Sequence, residues 1–218
     1  MKKYAAVLFD FDGTFADSSE GILASANEAF AALGYPAWEM PAFRRFLGPS
    51  LQDSMMRFAG MSPEEAQRAI AIYRASYVAG NCLRLRIFDG MEELLRRLTA
   101  ENIPVAIASS KITTYLEKIL QSVGYRHYFT AVVGAEPTSM ENDKTHLLQK
   151  AAADCGAAPE DCLMVGDRYF DMEAAKALGM QAAGVLYGFG EKEELLAAGA
   201  DFLAASCKEL EAVIFGGG

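Results

Sequence analysis

The chain has 218 residues, of which 52% are hydrophobic and 22% charged. This allows one large α/β domain or a core with a modest insertion, and it excludes a disordered protein. The chain has 20 lysines and arginines and 29 acidic residues, which gives a net charge of −9. This charge argues against a nucleic-acid partner, because binding a phosphate backbone needs a basic protein surface. It does not exclude a small anionic substrate, which responds to local charges.

The first predicted strand, residues 4–9, is followed by a long region, residues 15–86, with only helical patterning. Ser62-Pro63-Glu64-Glu65 is its clearest helix start, with a capping serine, a proline in the first turn and acids near the positive helix end. Helices are predicted at residues 18–33, 41–46, 51–58 and 63–78. This block predicts a helical cap domain, residues 15–86, inserted into a core domain formed by residues 1–14 and 87–218.

Beyond residue 86, strand and helix patterns alternate. Further strands are predicted at residues 104–108, 130–133, 162–165 and 182–186, and helices at residues 91–102, 115–123, 144–154 and 170–178. The strand segments are apolar throughout, which is typical of strands covered on both faces in a parallel sheet. The alternation predicts an α/β fold with a doubly wound parallel sheet and a ligand site at the carboxyl ends of its strands.

The strongest chemical signal is Asp10-Phe11-Asp12-Gly13-Thr14, directly after the first strand. In an extended segment, Asp10 and Asp12 point the same way, and Gly13 permits a sharp turn. Two adjacent carboxylates repel each other unless a cation lies between them or one is protonated. The pair therefore suits a site where one carboxylate binds metal and attacks while the other carries a proton.

Three later segments add polar groups at predicted strand ends or helix starts. Ser109 ends an apolar strand, where its hydroxyl could bind a phosphoryl oxygen, and Lys144 opens a helix that Asp143 could cap. Asp167 and Asp171 lie four residues apart after another strand and would share one helical face. Clustered carboxylates suit a hard cation such as Mg²⁺, which prefers oxygen ligands.

These motifs, in this order and with a helical insertion after the first, resemble the haloacid dehalogenase superfamily of phosphatases. Residues 73–111 and 184–188 are also similar to its phosphoglycolate phosphatase-like branch. The resemblance implies a Rossmann-like core with a helical cap. It also implies a Mg²⁺-dependent phosphatase that hydrolyses a small phosphorylated metabolite, phosphoglycolate-like or a nucleotide monophosphate ester, through an aspartyl-phosphate.

The resemblance also assigns roles to the motif residues. Asp10 is the expected nucleophile, and Asp12 is the expected general acid and base. Ser109 and Lys144 are the expected catalytic groups that stabilise charge. Lys144 is favoured over Lys150, which lies further along the same helix. The Mg²⁺ ligands would be Asp10, the Asp12 carbonyl, Asp167 and, directly or through water, Asp171. The predicted substrate-binding residues in the core are Gly13, Thr14, Ser110 and Lys111.

Other activities on such a scaffold are less well matched. Dehalogenases do not need the second carboxylate, and sugar phosphomutases tend to carry a histidine soon after the first motif, whereas residues 17–29 contain none. A non-catalytic sensor of phosphorylated ligands should lack the nucleophile or a metal-binding acid. The mutase and the sensor remain as alternatives to the phosphatase.

The predicted cap contains no lysine between residues 15 and 86. Related phosphonate hydrolases use a cap lysine to form a Schiff base, so cleavage of a carbon–phosphorus bond is not expected. Arginines suit carboxylates and phosphates instead. Arg44 and Arg45, just before Gly48-Pro49-Ser50, are the predicted substrate contacts of the cap, with a solvated surface position as the alternative.

The remaining features concern location and partners. The four cysteines have no C-x-x-C spacing, and no apolar stretch is long enough for a signal peptide or a membrane span. We therefore predict a soluble cytoplasmic protein, monomer or homodimer, whose partner is a small phosphorylated metabolite and neither nucleic acid nor a membrane.

Overall fold

The computed structural model describes residues 4–48, 50–136 and 143–216. They divide into two compact units, one formed by Met1–Ala16 with Ile87–Gly218 and the other by Asp17–Arg86. Pro49 of the Gly48-Pro49-Ser50 segment, and Glu141 and Asn142 before Lys144, lie outside the described residues. That the second unit acts as a cap domain stays a prediction.

Strands and helices alternate through most of the larger unit. In chain order the strands are β1 (Ala6–Phe9), β2 (Ala16–Asp17), β3 (Arg86–Ile87), β4 (Val105–Ile112), β5 (Ala131–Ala135), β6 (Cys162–Gly166), β7 (Gln181–Val185) and β8 (Phe202–Ala204). The α-helices are α1 (Ser19–Ala32), α2 (Leu51–Ala59), α3 (Pro63–Ala79), α4 (Met91–Ala100), α5 (Thr113–Ser122), α6 (Lys144–Asp154), α7 (Tyr169–Ala177), α8 (Lys192–Ala197) and α9 (Cys207–Phe215).

Six strands form one parallel sheet in the order β5-β4-β1-β6-β7-β8, and β2 pairs with β3 in a separate two-stranded sheet. β1 lies at the centre, with Val7 opposite Val105 of β4 and Leu163 of β6. All four residues of β1 are buried, because helices cover both faces of the sheet. The predicted doubly wound α/β fold is confirmed.

One face of the sheet packs against α6, α7 and α8. Leu8 of β1 and Met164 of β6 share a buried apolar cluster with Leu148 of α6, Met172 of α7 and Leu195 of α8. Burying a side chain of this size contributes about 1.5–3 kcal/mol relative to exposure. This packing holds the starts of α6 and α7 at the carboxyl end of the sheet, where the polar motifs lie.

The smaller unit is helical, with α1, α2, α3 and short 3-10 helices at Ala42–Phe46 and Asn81–Leu83. The predicted start of α3 is confirmed, because the Ser62 hydroxyl accepts from the Glu65 amide at 3.2 Å while the Ser62 amide donates to the Glu65 carboxylate at 2.9 Å. Phe46 packs against the aromatic rings of Trp38 and Phe43.

The structure departs from the predicted elements in several places. Residues 42–46 form a 3-10 helix instead of an α-helix, and β4 continues beyond Ala108 to Ile112 with an irregular register after Ser109. Five elements were not predicted: β2, β3, β8, α8 and α9. The three strands have only 2 or 3 residues, which is too short for a periodic pattern. Within the described residues, no helix is both long enough and apolar enough to cross a membrane.

Candidate active site

The carboxyl ends of the central strands bring the polar motifs together. Asp10 follows β1, Ser109 lies near the end of β4, and Asp167 follows β6. Each is at most 5% exposed. For the two aspartates, such burial is rare without a function or a partner. Because β4, β1 and β6 are parallel neighbours, their carboxyl ends meet at one edge of the sheet.

Lys144, the first residue of α6, connects the motifs through its ammonium group. Its Nζ donates to Asp10 Oδ1 at 2.8 Å and to the Ala108 carbonyl oxygen at 2.7 Å, and it lies 2.7 Å from Asp171 Oδ1. Two of the three ammonium donors are thus used by Asp10 and Ala108. Asp171 Oδ1 meets Lys144 as an ion pair and has no hydrogen-bond partner among the described residues. Asp143 caps α6 as predicted, its carboxylate accepting from the His146 amide at 3.1 Å.

Burial and charge act on Lys144 in opposite directions. Burial by itself would lower the pKa of Lys144, whereas the Asp10 and Asp171 carboxylates raise it, and the pKa ends above its ordinary value. Lys144 is therefore a fixed positive charge at the centre of the acidic cluster. Lys150, the other lysine of α6, instead forms an exposed pair with Asp154.

Asp167 is fully buried and is held from two sides. The Thr14 hydroxyl donates to Asp167 Oδ1 at 3.2 Å, and the Phe189 amide donates to Asp167 Oδ2 at 2.7 Å. Gly13, with φ of +81°, makes the turn between the first motif and Thr14, and a Cβ at that position would lie 2.2 Å from Asp167 Oδ2. The glycine is thus required both for the turn and for space.

Asp171 lies in the first turn of α7 and is also fully buried. Its Oδ2 accepts from the Arg168 amide at 3.1 Å, which satisfies a free donor at the start of the helix. A Cβ at Gly166 would lie 2.4 Å from the Asp171 side chain. Gly166, directly before Asp167, therefore makes room for the Asp171 side chain.

Asp10, Asp167 and Asp171 form a cluster that could hold a cation. Each offers a carboxylate oxygen, these oxygens lie within 4.8 Å of one another, and all three residues are buried. Burial, and next the Asp171 and Asp10 charges, raise the pKa of Asp167 well above its ordinary value. Burial and Asp10, opposed by Lys144, raise the pKa of Asp171 to about 6. Carboxylate oxygens are the ligands that hard divalent cations prefer. A bound cation would also relieve the repulsion between the three carboxylates.

The Asp12 side chain points to a different partner. Lys111 Nζ lies 3.1 Å from Asp12 Oδ2, and the Lys111 amide donates to Ser109 Oγ at 3.4 Å. Two of the residues predicted to bind substrate thus contact other protein groups, Lys111 at Asp12 and Thr14 at Asp167. Ser110 is exposed at the end of β4.

The arginines predicted to contact substrate lie in the smaller unit, in the 3-10 helix Ala42–Phe46. Both are exposed. The Arg45 guanidinium lies 4.7 Å from the centre of the Trp38 ring and 5.5 Å from that of Phe58. Arg45 therefore has a packing role inside its own unit, whatever its role toward substrate.

Sequence reasoning missed the loop of residues 187–190, which contacts Asp167 through the Phe189 amide. A backbone donor has no side-chain signature. The signal was the pair of glycines, Gly188 and Gly190, because a Cβ at either position would collide with Asp167.

Comparison with known proteins gives a consistent assignment. The family model described as haloacid dehalogenase-like hydrolase matches residues 7–185. The chain is 33% identical over 195 residues to a 5'-nucleotidase of Pseudomonas aeruginosa, covering 89% of this chain and 88% of that protein. It is 32% identical over 206 residues to a phosphoglycolate phosphatase of Synechococcus elongatus, covering 94% of each.

Two further similarities concern a kinase-named relative and a solved structure. The chain is 33% identical over 187 residues to the tyrosine-protein kinase PtkA of Mycobacterium tuberculosis, covering 86% of this chain but 64% of that protein. A crystal structure described as a predicted phosphatase from Clostridium acetobutylicum superposes with a TM-score of 0.90 at 33% identity, covering 97% of this chain and 98% of that one.

Proposed function

The chain belongs to the haloacid dehalogenase-like hydrolase family, and from this we propose that it is a Mg²⁺-dependent phosphatase of small phosphorylated metabolites. The observation that carries the proposal is the Lys144 ammonium group, which contacts both Asp10 and Asp171 inside a buried acidic cluster. Such a set of fixed charges suits phosphoryl transfer, where catalysis is mostly positioning and charge stabilisation.

The cofactor we propose is Mg²⁺, held by the Asp10 carboxylate, the Asp12 carbonyl and Asp167, with Asp171 in support. The buried oxygen-only cluster of three aspartates supports a hard cation. When bound, the ion would supply positive charge that stabilises the oxygens of the transferring phosphoryl group. Lys144 supplies a second positive charge from the protein itself.

In the proposed mechanism, the Asp10 carboxylate attacks phosphorus, and the bond to the leaving oxygen breaks. Asp12 donates a proton to that oxygen and later removes one from the water that hydrolyses the aspartyl-phosphate. Lys144 orients Asp10 through Oδ1 throughout. The contact of Lys111 with Asp12 supports an ordered position for the acid and base, and Ser109 is available to bind a phosphoryl oxygen.

The substrate class follows from the relatives and from the residues present. Relatives named 5'-nucleotidase and phosphoglycolate phosphatase favour a nucleoside monophosphate or phosphoglycolate-like ester. We propose that water accepts the phosphoryl group, because Asp12 is present and can activate water. The sugar phosphomutase and the phosphate sensor remain alternatives that the assay below separates, and the cytoplasmic location stays a prediction.

We expect the purified protein to release phosphate from p-nitrophenyl phosphate with Mg²⁺ and to lose this activity with excess EDTA. The loss should be reversed by Mg²⁺, because the clustered carboxylates would repel without a cation. Phosphate release that survives exhaustive chelation would contradict the metal assignment. A panel of phosphorylated metabolites, ranked by kcat/KM, then identifies the substrate, and isomerisation of a sugar phosphate without phosphate release would favour the mutase.

We also propose that the helical unit sets substrate choice through Arg44 and Arg45 and supplies no covalent catalyst. We test the single variants Arg44→Ala and Arg45→Ala. In at least one of them, kcat/KM for the best panel substrate should fall about tenfold more than kcat/KM for p-nitrophenyl phosphate. The reason is that a guanidinium binds anionic substrate groups that p-nitrophenyl phosphate lacks. Arg57→Ala, which replaces an exposed arginine of α2, is the matched control and should leave the ratio of kcat/KM for the two esters unchanged.

Two outcomes would defeat this proposal for the helical unit. Equal losses on both esters would show that the arginines do not discriminate between substrates. For Arg45 such a result would fit its contacts with Trp38 and Phe58, since lost packing affects every substrate alike. Trapping of a substrate on the enzyme by borohydride would reveal a Schiff base and contradict the absence of a covalent catalyst.

A further inference from the structure

The loop of residues 187–190 follows β7 and packs directly against Asp167. A Cβ at Gly188 would lie 2.4 Å from the Asp167 Cβ and 2.3 Å from the Gly13 carbonyl oxygen, and one at Gly190 would lie 2.0 Å from the Asp167 carbonyl oxygen. Neither Gly188 nor Gly190 has a left-handed φ, so the absence of space, not backbone conformation, requires a glycine. The loop backbone therefore lies so close to Asp167 that no side chain fits at Gly188 or Gly190.

The same loop orients the Asp167 carboxylate. The Phe189 amide donates to Oδ2 at 2.7 Å, while the Thr14 hydroxyl donates to Oδ1 at 3.2 Å. Tyr187 completes the arrangement by donating from its hydroxyl to the Thr14 carbonyl oxygen at 3.3 Å. Each carboxylate oxygen has two lone pairs, so each keeps one for a cation after accepting these bonds.

Tyr187 anchors the loop to the rest of the larger unit. Its ring lies 4.6 Å, centre to centre, from that of Phe88, and Cys207 at the start of α9 donates its thiol to the Tyr187 hydroxyl at 3.8 Å. Partly buried contacts of Tyr187 thus hold one side of the loop, and the backbone on the other side contacts Asp167.

From these contacts we propose that the 187–190 loop is a positioning element of the cation site. Gly188 and the Phe189 amide set the orientation of the Asp167 carboxylate and thereby the affinity of the site for a divalent cation. Groups that orient a metal ligand affect binding even though they do not touch the metal. This inference rests on the proposed Mg²⁺-dependent function.

The test is Gly188→Ala, measured by Mg²⁺ titration of the rate and by the rise in Tm that Mg²⁺ causes in the absence of substrate. The added methyl group must displace Asp167 or the turn at Gly13, so we expect the Mg²⁺ affinity to fall about 10- to 100-fold. The Mg²⁺-dependent rise in Tm should shrink accordingly. The value of kcat at saturating Mg²⁺ should change much less, which a general loss of structure would not produce.

Gly156→Ala is the matched control, because Gly156 has φ of +68° with nothing within 4 Å of a Cβ. It should lower Tm through backbone strain while leaving Mg²⁺ affinity unchanged. Tyr187→Phe is the milder second variant. It removes only the hydroxyl, which donates to the Thr14 carbonyl and accepts from the Cys207 thiol, and we expect a smaller loss of Mg²⁺ affinity with the fold retained.

The outcomes separate this inference from the proposed function. If the wild-type protein neither binds nor requires Mg²⁺, the proposed function fails first. If the wild-type protein binds Mg²⁺ and folded Gly188→Ala binds it equally well, the positioning role is overturned. If Gly188→Ala does not fold, Tyr187→Phe decides, and an unchanged Mg²⁺ affinity in that variant overturns the inference.

Discussion

Asp10→Asn should lower turnover of every phosphate ester by at least about 10³-fold, because an amide cannot act as the carboxylate nucleophile. The replacement is nearly isosteric, and its oxygen can still accept from Lys144, which now donates to Asp10 at 2.8 Å. Lys144 also keeps Asp171 as a charged partner, and the cluster loses one of its mutually repelling carboxylates, so Tm should stay close to that of the wild-type protein. Steady-state kinetics and thermal unfolding of the same preparation measure the two effects.

The control for Asp10→Asn is Asp154→Asn, an aspartate at the exposed end of α6 that pairs with Lys150. This control variant should turn over at the wild-type rate. Mass spectrometry of Asp10→Asn must exclude deamidation of the introduced asparagine, since a small fraction of restored aspartate would imitate residual activity. Wild-type turnover by Asp10→Asn protein in which that amide is intact would remove Asp10 from the mechanism.

Lys144→Met should lose both activity and stability. The Lys144 side chain is 5% exposed, and its ammonium group contacts two carboxylates that are themselves 7% and 0% exposed. Removing one partner of a buried ion pair costs about 3–5 kcal/mol, because the remaining charges are left uncompensated. Loss of a fixed charge near the phosphoryl group should lower kcat by about 10²- to 10³-fold.

Urea unfolding without Mg²⁺ measures the stability of this variant, and steady-state kinetics at saturating Mg²⁺ measure its activity. Lys150→Met is the matched control on the same helix, where Lys150 forms an exposed pair with Asp154. It should change neither quantity appreciably, since exposed pairs contribute little. Loss of activity in Lys150→Met with wild-type behaviour in Lys144→Met would reverse the choice between the two lysines of α6.

Local sequence patterns were sufficient for much of the fold. Continuous apolar segments identified β1, β4, β5, β6 and β7, since a strand covered on both faces needs apolar side chains at every position. The bounds of α6 match the prediction at both ends. Asp143 is a local capping signal for its start, and Gly156, with a left-handed φ, follows its end. Composition excluded a disordered chain, since 52% hydrophobic residues can form a large core.

The motif residues were likewise evident in the sequence, because their chemistry is carried by side chains at short spacings. Asp10 and Asp12 with Gly13, and Asp167 with Asp171, were predicted to form a cation and phosphate site, and their binding roles stay a prediction. Their order along the chain implied that they meet, since parallel strands end at one edge of the sheet. The sequence did not reveal what each carboxylate contacts.

Those contacts were decided by the tertiary structure. Lys144 reaches Asp10 across 134 residues of sequence, Lys111 pairs with Asp12, and the Phe189 amide donates to Asp167. The strand order determines which of these groups become neighbours, and no local pattern encodes that order. Every residue except proline has a backbone amide donor, so the tertiary packing of the backbone decides which acceptor that amide reaches. The sequence thus determined which chemical groups are present, whereas packing around β1 and β6 determined which of them hold one another in place.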